Sequence, residues 1–255
     1  MDLFVRERGE GPPLLLLHGL FGSADNLGAI ARNLEADYKV ISLDLRNHGR
    51  SPHVEGMSYT AMAADVKLIL DKLDIGKCHV FGHSMGGKTA MQLALDAPDR
   101  ISRLVVGDIA PVSYGNHHSD ILQGLRTVAE SDAVSRTDAE AILADFVNEP
   151  DVLSFLLTNW RRGNNGKGHW RIGLDAIIGG YSEISAENTG LAVDIPTLFL
   201  RGSLSDYIKP EHREAILALF PKATVRTVEG TGHWLHAEKP ELVARLINRF
   251  LSNDL

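Results

Sequence analysis

Residues 82–86 read Gly82-His83-Ser84-Met85-Gly86, a Gly-x-Ser-x-Gly pattern set between an apolar run, Cys78 to Phe81, and a helix-forming run, Lys88 to Leu95. Few folds accommodate that order. A serine raised above a sheet on so tight a strand-to-helix turn holds a strained backbone, so the positions two before and two after it must lack a Cβ. Gly82 and Gly86 meet that demand. Average composition produces such a pentapeptide by accident in about one chain of this length in ten. The strand before it and the helix after it therefore carry the reading of a nucleophile elbow over that of a glycine-rich turn with an idle serine.

The flanking segments alternate between strand and helix. Leu14 to Leu17 are four apolar residues in a row, which leaves no polar face for water and predicts a fully buried strand. It runs into the loop His18-Gly19-Leu20-Phe21-Gly22-Ser23. Further strands are expected at Leu3 to Arg6, Lys39 to Leu43, Arg103 to Gly107, Ile195 to Leu200 and Ala223 to Val228. Helices are expected from Asn26 to Glu35, after a Thr60 cap with Met62, Val66, Ile69, Leu70 and Leu73 in one stripe, from the elbow to Pro98, after Pro210, and after Pro240. Such alternation implies an α/β architecture, a mostly parallel, doubly wound sheet with helices on both faces. Reactive groups then gather at the carboxyl ends of the strands. Between about Val112 and Val193 the rhythm breaks. Apolar residues recur there at helical spacing with no convincing strand, which divides the chain into a core, residues 1–112 and 194–255, and a helical cap, residues 113–193.

Composition narrows the function classes. A formal charge of −7 over 255 residues argues against a nucleic-acid surface. No stretch reaches the roughly 18 unbroken apolar residues of a membrane span. The N-terminus, Met1 to Arg6, carries no basic region followed by an apolar core, and the single cysteine, Cys78, reads as a small buried hydrophobe. A cytoplasmic protein is the expectation. His117, His118 and His169 are too scattered to suggest a metal site, so neither metal nor cofactor is expected.

A serine hydroxyl is a poor nucleophile at neutral pH and needs a base beside it. Of the 11 histidines, His233 lies in a glycine-rich loop after the final strand, at the sheet edge where Ser84 is raised. His18, His48 and His83 read as loop braces, and His236 as a residue behind the base. An acid must hold the base's tautomer. Asp108 and Asp206 both end strands at that edge, and either gives the order Ser, Asp, His. The residues alone leave that choice open. For the oxyanion, one donor is the Met85 amide at the start of a helix, and the second comes from the His18 to Gly22 loop, at Leu20 with Phe21 in reserve.

Taken together, His18-Gly19-Leu20-Phe21-Gly22-Ser23, Asp44 with Arg46-Asn47-His48-Gly49, Gly82 to Lys88, Asp108-Ile109-Ala110-Pro111-Val112 and Gly232-His233-Trp234 resemble the α/β-hydrolase superfamily, and more narrowly the bacterial YbfF-type esterases. The resemblance implies an α/β-hydrolase fold with a helical cap inserted after the sixth strand and bordering a substrate groove. It implies a serine hydrolase of carboxylic esters, with acyl-CoA thioesters handled by relatives. It also favours Asp108 as the acid, with Ser205 as an auxiliary hydrogen-bonding group and Asp206 as the alternative acid. Two other readings keep the same residues: carbon–carbon bond hydrolysis or a lyase reaction, and a hydrolase-fold ligand receptor with little turnover. In the cap, Phe155, Leu156, Trp160 and Trp170 read first as core and second as acyl-pocket lining. Arg161, Arg162, Lys167 and Arg171, around Gly163 to Gly166, read first as a solvated charged face and second as a site for a coenzyme phosphate.

Overall fold

The computed structural model describes residues 1–163 and 166–252. Strands β1 (Val5–Arg8), β2 (Pro13–Leu17), β3 (Lys39–Leu43), β4 (Cys78–His83) and β5 (Ile101–Gly107) alternate with helices α1 (Gly28–Leu34), α2 (Tyr59–Lys72) and α3 (Met85–Asp96). A helical insertion follows, with α4 (Ser119–Glu130), α5 (Arg136–Leu143), α6 (Pro150–Leu156), the hairpin strands β6 (Trp160–Arg162) and β7 (Gly168–Trp170), α7 (Leu174–Gly179) and α8 (Tyr181–Ser185). The chain then returns through β8 (Thr197–Gly202), α9 (Arg213–Leu219), β9 (Ala223–Val228), α10 (Leu235–Glu238) and α11 (Pro240–Ser252).

Seven strands make one sheet in the order β1-β3-β2-β4-β5-β8-β9, parallel except for the antiparallel edge strand β1. The leucine run of β2 lies near its middle, and alternate residues point to opposite faces. Leu14 and Leu16 join the core under Ile30, Leu34, Val243 and Ile247 of α1 and α11, while Leu15 and Leu17 join the core under Met62, Val66 and Met91 of α2 and α3. Helices on both faces leave that strand no wet side, which is why it reads as uninterrupted leucine.

Four expectations shift. The first strand begins at Val5 instead of Leu3, because Leu3 is buried as an irregular lead-in while β1 pairs from Val5 against Leu43. Helix α2 is capped by Ser58, whose Oγ accepts from the Ala61 amide 3.3 Å away, so Thr60 already lies inside the first turn. The insertion carries one hairpin, β6 with β7, across which the Trp160 and Trp170 rings meet at 4.8 Å and 69°. Finally, the insertion follows β5, the fifth strand among the described residues, and not a sixth.

Lys88, one turn into α3, is buried. Its Nζ donates to the Val112 carbonyl at 2.6 Å, where the chain leaves the sheet, and to the Ala186 carbonyl at 2.5 Å, where the insertion heads back. Loss of water pushes its pKa down to about 7, against the pull of Glu187. One side chain of the elbow helix thus ties both ends of the insertion to the sheet.

Candidate active site

The turn after β4 has the form that its sequence demands. Ser84 sits at φ 54° and ψ −120°, its amide donating to the Gly107 carbonyl at 2.9 Å, and α3 begins at the next residue. Crowding explains the glycines more fully than the turn alone. A Cβ on Gly82 would lie 2.2 Å from the Gly86 carbonyl oxygen, and one on Gly86 would lie 2.3 Å from the carbonyl oxygen of Leu17 in the neighbouring strand. Both distances are far inside van der Waals contact, so no side chain fits at either position.

Three strand ends converge here. His233, in the loop after β9, has Nε2 3.0 Å from Ser84 Oγ and Nδ1 2.8 Å from Asp108 Oδ2. Asp108 follows β5 with φ 49° and is fully buried, so its carboxylate must be satisfied by the protein. The Gly202 amide donates to Oδ1 at 3.0 Å, and Ser205 Oγ donates to Oδ2. Asp206 lies elsewhere: its side chain is 95% exposed and stands 3.9 Å from Lys209 Nζ.

Two features around His233 carry no sequence signal of the kind that found the others. The Tyr207 ring stacks on the imidazole at 4.0 Å and 22°, and the His83 Nε2–H donates to the His233 carbonyl at 2.7 Å. His83 sits in the elbow itself, next to Ser84. Burial, with His236 and His233 close by, holds His83 well below the usual histidine range, and burial pushes His236 down to about 3. Both rings are therefore neutral at neutral pH and add no charge beside the base.

The amides expected at the oxyanion position divide clearly. Met85 opens α3, so its N–H has no partner within the helix. The Phe21 amide, the reserve donor, is committed to His48 Nε2 at 3.1 Å and is withdrawn from the site. His48 holds its tautomer by donating Nδ1–H to the Arg46 carbonyl at 2.8 Å. His18 likewise donates Nδ1–H to the Gly19 carbonyl at 2.8 Å and accepts the Leu45 amide at 2.9 Å, which makes it a brace for the loop that presents Leu20. Gly19 lets that loop approach the elbow, since a Cβ there would stand 3.3 Å from Ser84 Cβ.

Ser84 and His233 open into a cleft of about 710 Å³ between the sheet edge and the insertion. Leu20 and Tyr207 line its floor, and Ile121, Val152, Phe155 and Leu156 its far wall. Phe155 meets Trp234 across it at 5.3 Å. Trp160 and Trp170 are buried in the hairpin and do not reach the cleft. None of the four basic residues lines it either: Arg161 Nη1 donates to the Thr158 and Trp160 carbonyls, Lys167 pairs with Asp132, and Arg171 Nη2 reaches Ser23 Oγ. Asn164 and Asn165 of the intervening loop lie outside the described residues. Among the described residues no group of three or more His, Cys, Asp or Glu is placed to hold a metal ion, and no helix is long and apolar enough to cross a membrane.

A family model described as the alpha/beta hydrolase fold matches residues 12–240. Esterase YbfF of Escherichia coli (strain K12) is 43% identical over 242 residues, covering 94% of this chain and 93% of that protein. The sn-1-specific diacylglycerol lipase ABHD11 of Danio rerio is 40% identical over 248 residues, covering 91% of this chain and 76% of that one. Among solved structures, a marine microorganism esterase superposes with a TM-score of 0.94 at 38% identity, covering 98% of this chain and 99% of that chain.

Proposed function

Because this chain belongs to the α/β-hydrolase family, of the YbfF type, and is a carboxylic ester hydrolase, we propose that it works through an acyl-enzyme on Ser84. The observation that supports this most is the unbroken hydrogen-bonded line Ser84 Oγ to His233 Nε2 and His233 Nδ1 to Asp108 Oδ2, at 3.0 and 2.8 Å. His233 takes the serine proton as Oγ attacks the ester carbon. Asp108 keeps the other ring proton on Nδ1 and stabilises the imidazolium as it forms. The Leu20 and Met85 amides receive the oxyanion, and losing one such donor typically costs about 2.7–4 kcal/mol of barrier. The imidazolium then protonates the departing alcohol oxygen. Water, deprotonated in turn by His233, attacks the acyl-enzyme, the acyl C–Oγ bond breaks, and the imidazolium returns that proton to Ser84 Oγ as the acid leaves. Gly202 and Ser205 hold the Asp108 side chain aligned with His233, so Ser205 acts through Asp108 and not on the substrate.

Residues 113–193 serve as a cap over this site, supplying the apolar wall that takes the hydrocarbon of the substrate. The same wall bears on the choice between oxygen esters and coenzyme A thioesters. A coenzyme carries several phosphate charges, yet among the described residues the cap presents Asp151 and no lysine or arginine to the cleft. Kinetics on 4-nitrophenyl esters and acyl-CoA of matched chain length test this. Nitrophenolate and free carboxylic acid are expected in equal amounts, with kcat/KM for the acyl-CoA at least about tenfold below a reference ester of equal intrinsic reactivity, since a charged group left without a partner forfeits a charge-assisted hydrogen bond. Faster turnover of the thioester would overturn the preference, and absence of any acid product would overturn the reaction.

A further inference from the structure

His118 borders the cleft and has no part in the scheme above. It lies at the entrance to α4 in the insertion, half-buried, with its ring edge-on to Phe21 at 6.2 Å and to Tyr181 at 5.8 Å. Its Nδ1 is 2.7 Å from Tyr181 Oη. The Ser185 side chain and the main chain at His118 and His117 also lie close to the Tyr181 oxygen, each favouring negative charge on it. The phenol has its own proton to place, and His118 Nδ1, at hydrogen-bond distance, is the acceptor for it. Nδ1 therefore accepts, and the ring proton is on Nε2. Burial, with His233 nearby, pushes the His118 pKa down to about 4, so the ring stays neutral at neutral pH. The result is an oriented N–H, unpaired with any described residue, on the wall facing the reacting groups.

The position of His233 says which half of the substrate passes this N–H. The proton that leaves with the alcohol comes from His233, so the alcohol half must lie against that ring. His118 lines the same cleft as His233 and is close enough to it for their charges to interact. Resting on the Ser84–His233 reading, we propose that His118 Nε2–H donates to a second oxygen on the alcohol half of the ester, so that the preferred substrates are esters of alcohols bearing an ether or hydroxyl oxygen near the scissile bond. The remainder of the far wall is mostly apolar, from Ile121, Val152, Phe155 and Leu156, which suits a plain hydrocarbon acyl chain.

Two isosteric pairs test this, with acid release followed at constant pH. In 2-methoxyethyl butanoate against n-butyl butanoate the extra oxygen is in the alcohol; in ethyl 3-methoxypropanoate against ethyl pentanoate it is in the acid. Within each pair the ratio of kcat/KM cancels the amount of active enzyme. His118→Phe is expected to lower the alcohol-pair ratio by about five- to tenfold, the worth of one neutral hydrogen bond, and to leave the acid-pair ratio within about twofold. His118→Gln, which keeps an N–H near the Nε2 position, is expected to restore most of the alcohol-pair ratio. Tyr181→Phe, which leaves the ring in place but frees its tautomer, is expected to lower it by about two- to threefold. An unchanged alcohol-pair ratio in His118→Phe overturns the proposal, as does a fall confined to the acid pair. Failure of the wild type on all four esters instead defeats the reading of Ser84 as nucleophile.

Discussion

Ser84→Ala is expected to lower kcat/KM for a 4-nitrophenyl ester by about five to six orders of magnitude while leaving the folded state intact. The magnitude follows from what the hydroxyl does. Without Oγ there is no acyl-enzyme, and what survives is the catalysis that an oxyanion site and binding alone provide, about a thousandfold or so over water. The fold should not suffer, because alanine keeps the Cβ and the main-chain bond from residue 84 to the Gly107 carbonyl, and it places no new atom against Gly19. Circular dichroism and thermal melting on the same preparation check the second half. Retention of more than about one part in a hundred of the activity would show that hydrolysis does not run through this serine.

The second large effect separates two aspartates in the loops after the adjacent strands β5 and β8. Asp108→Asn is expected to cost about four orders of magnitude in kcat, because an amide at this position stabilises the wrong tautomer of His233 and cannot balance the imidazolium. Asp206→Asn is expected to change kcat by no more than about twofold, since its carboxylate is in solvent and pairs weakly with Lys209. Steady-state kinetics on folded variants decides the ranking. The opposite order would transfer the acid's role to Asp206 and leave the Asp108 contact with His233 without a catalytic purpose.

Much of this was written into the residues in forms that local physics can decode. A strand covered on both faces has little room for polar residues, so β2, and β3 with Ser42 as its one buried polar side chain, are legible within a residue or so. The elbow is legible because its glycines answer a steric demand no other residue meets, and His233 because a glycine-rich loop after the final strand has one place to go in a parallel sheet. The acid is different. Ser205 and Asp206 adjoin in sequence, yet one is 8% exposed and bonded to Asp108 while the other points to water. Loops have no periodicity from which to read such a facing, so the choice of Asp108 came from resemblance to a family and not from the residues.

Tertiary contacts hid the rest. The hairpin of β6 and β7 has strands of three residues, too short for any alternation to show, and it is organised by two tryptophans that a sequence reading places simply in the core. The stack of Tyr207 on His233 joins residues 26 positions apart through the ends of β8 and β9, and nothing local to Tyr207 announces it. His118 and Tyr181 are likewise 63 residues apart and meet only because the insertion folds back on itself.

The proposed chemistry makes one oxygen nucleophilic and leaves the chain's other hydroxyls ordinary, so covalent capture by a fluorophosphonate reports on it most directly. Intact mass and peptide mapping of the labelled wild-type protein should show one adduct per chain, on the peptide that contains Ser84, with Ser84→Ala unlabelled under the same conditions. An adduct at another residue, or equal labelling of the variant, would contradict the assignment of Ser84 as the nucleophile.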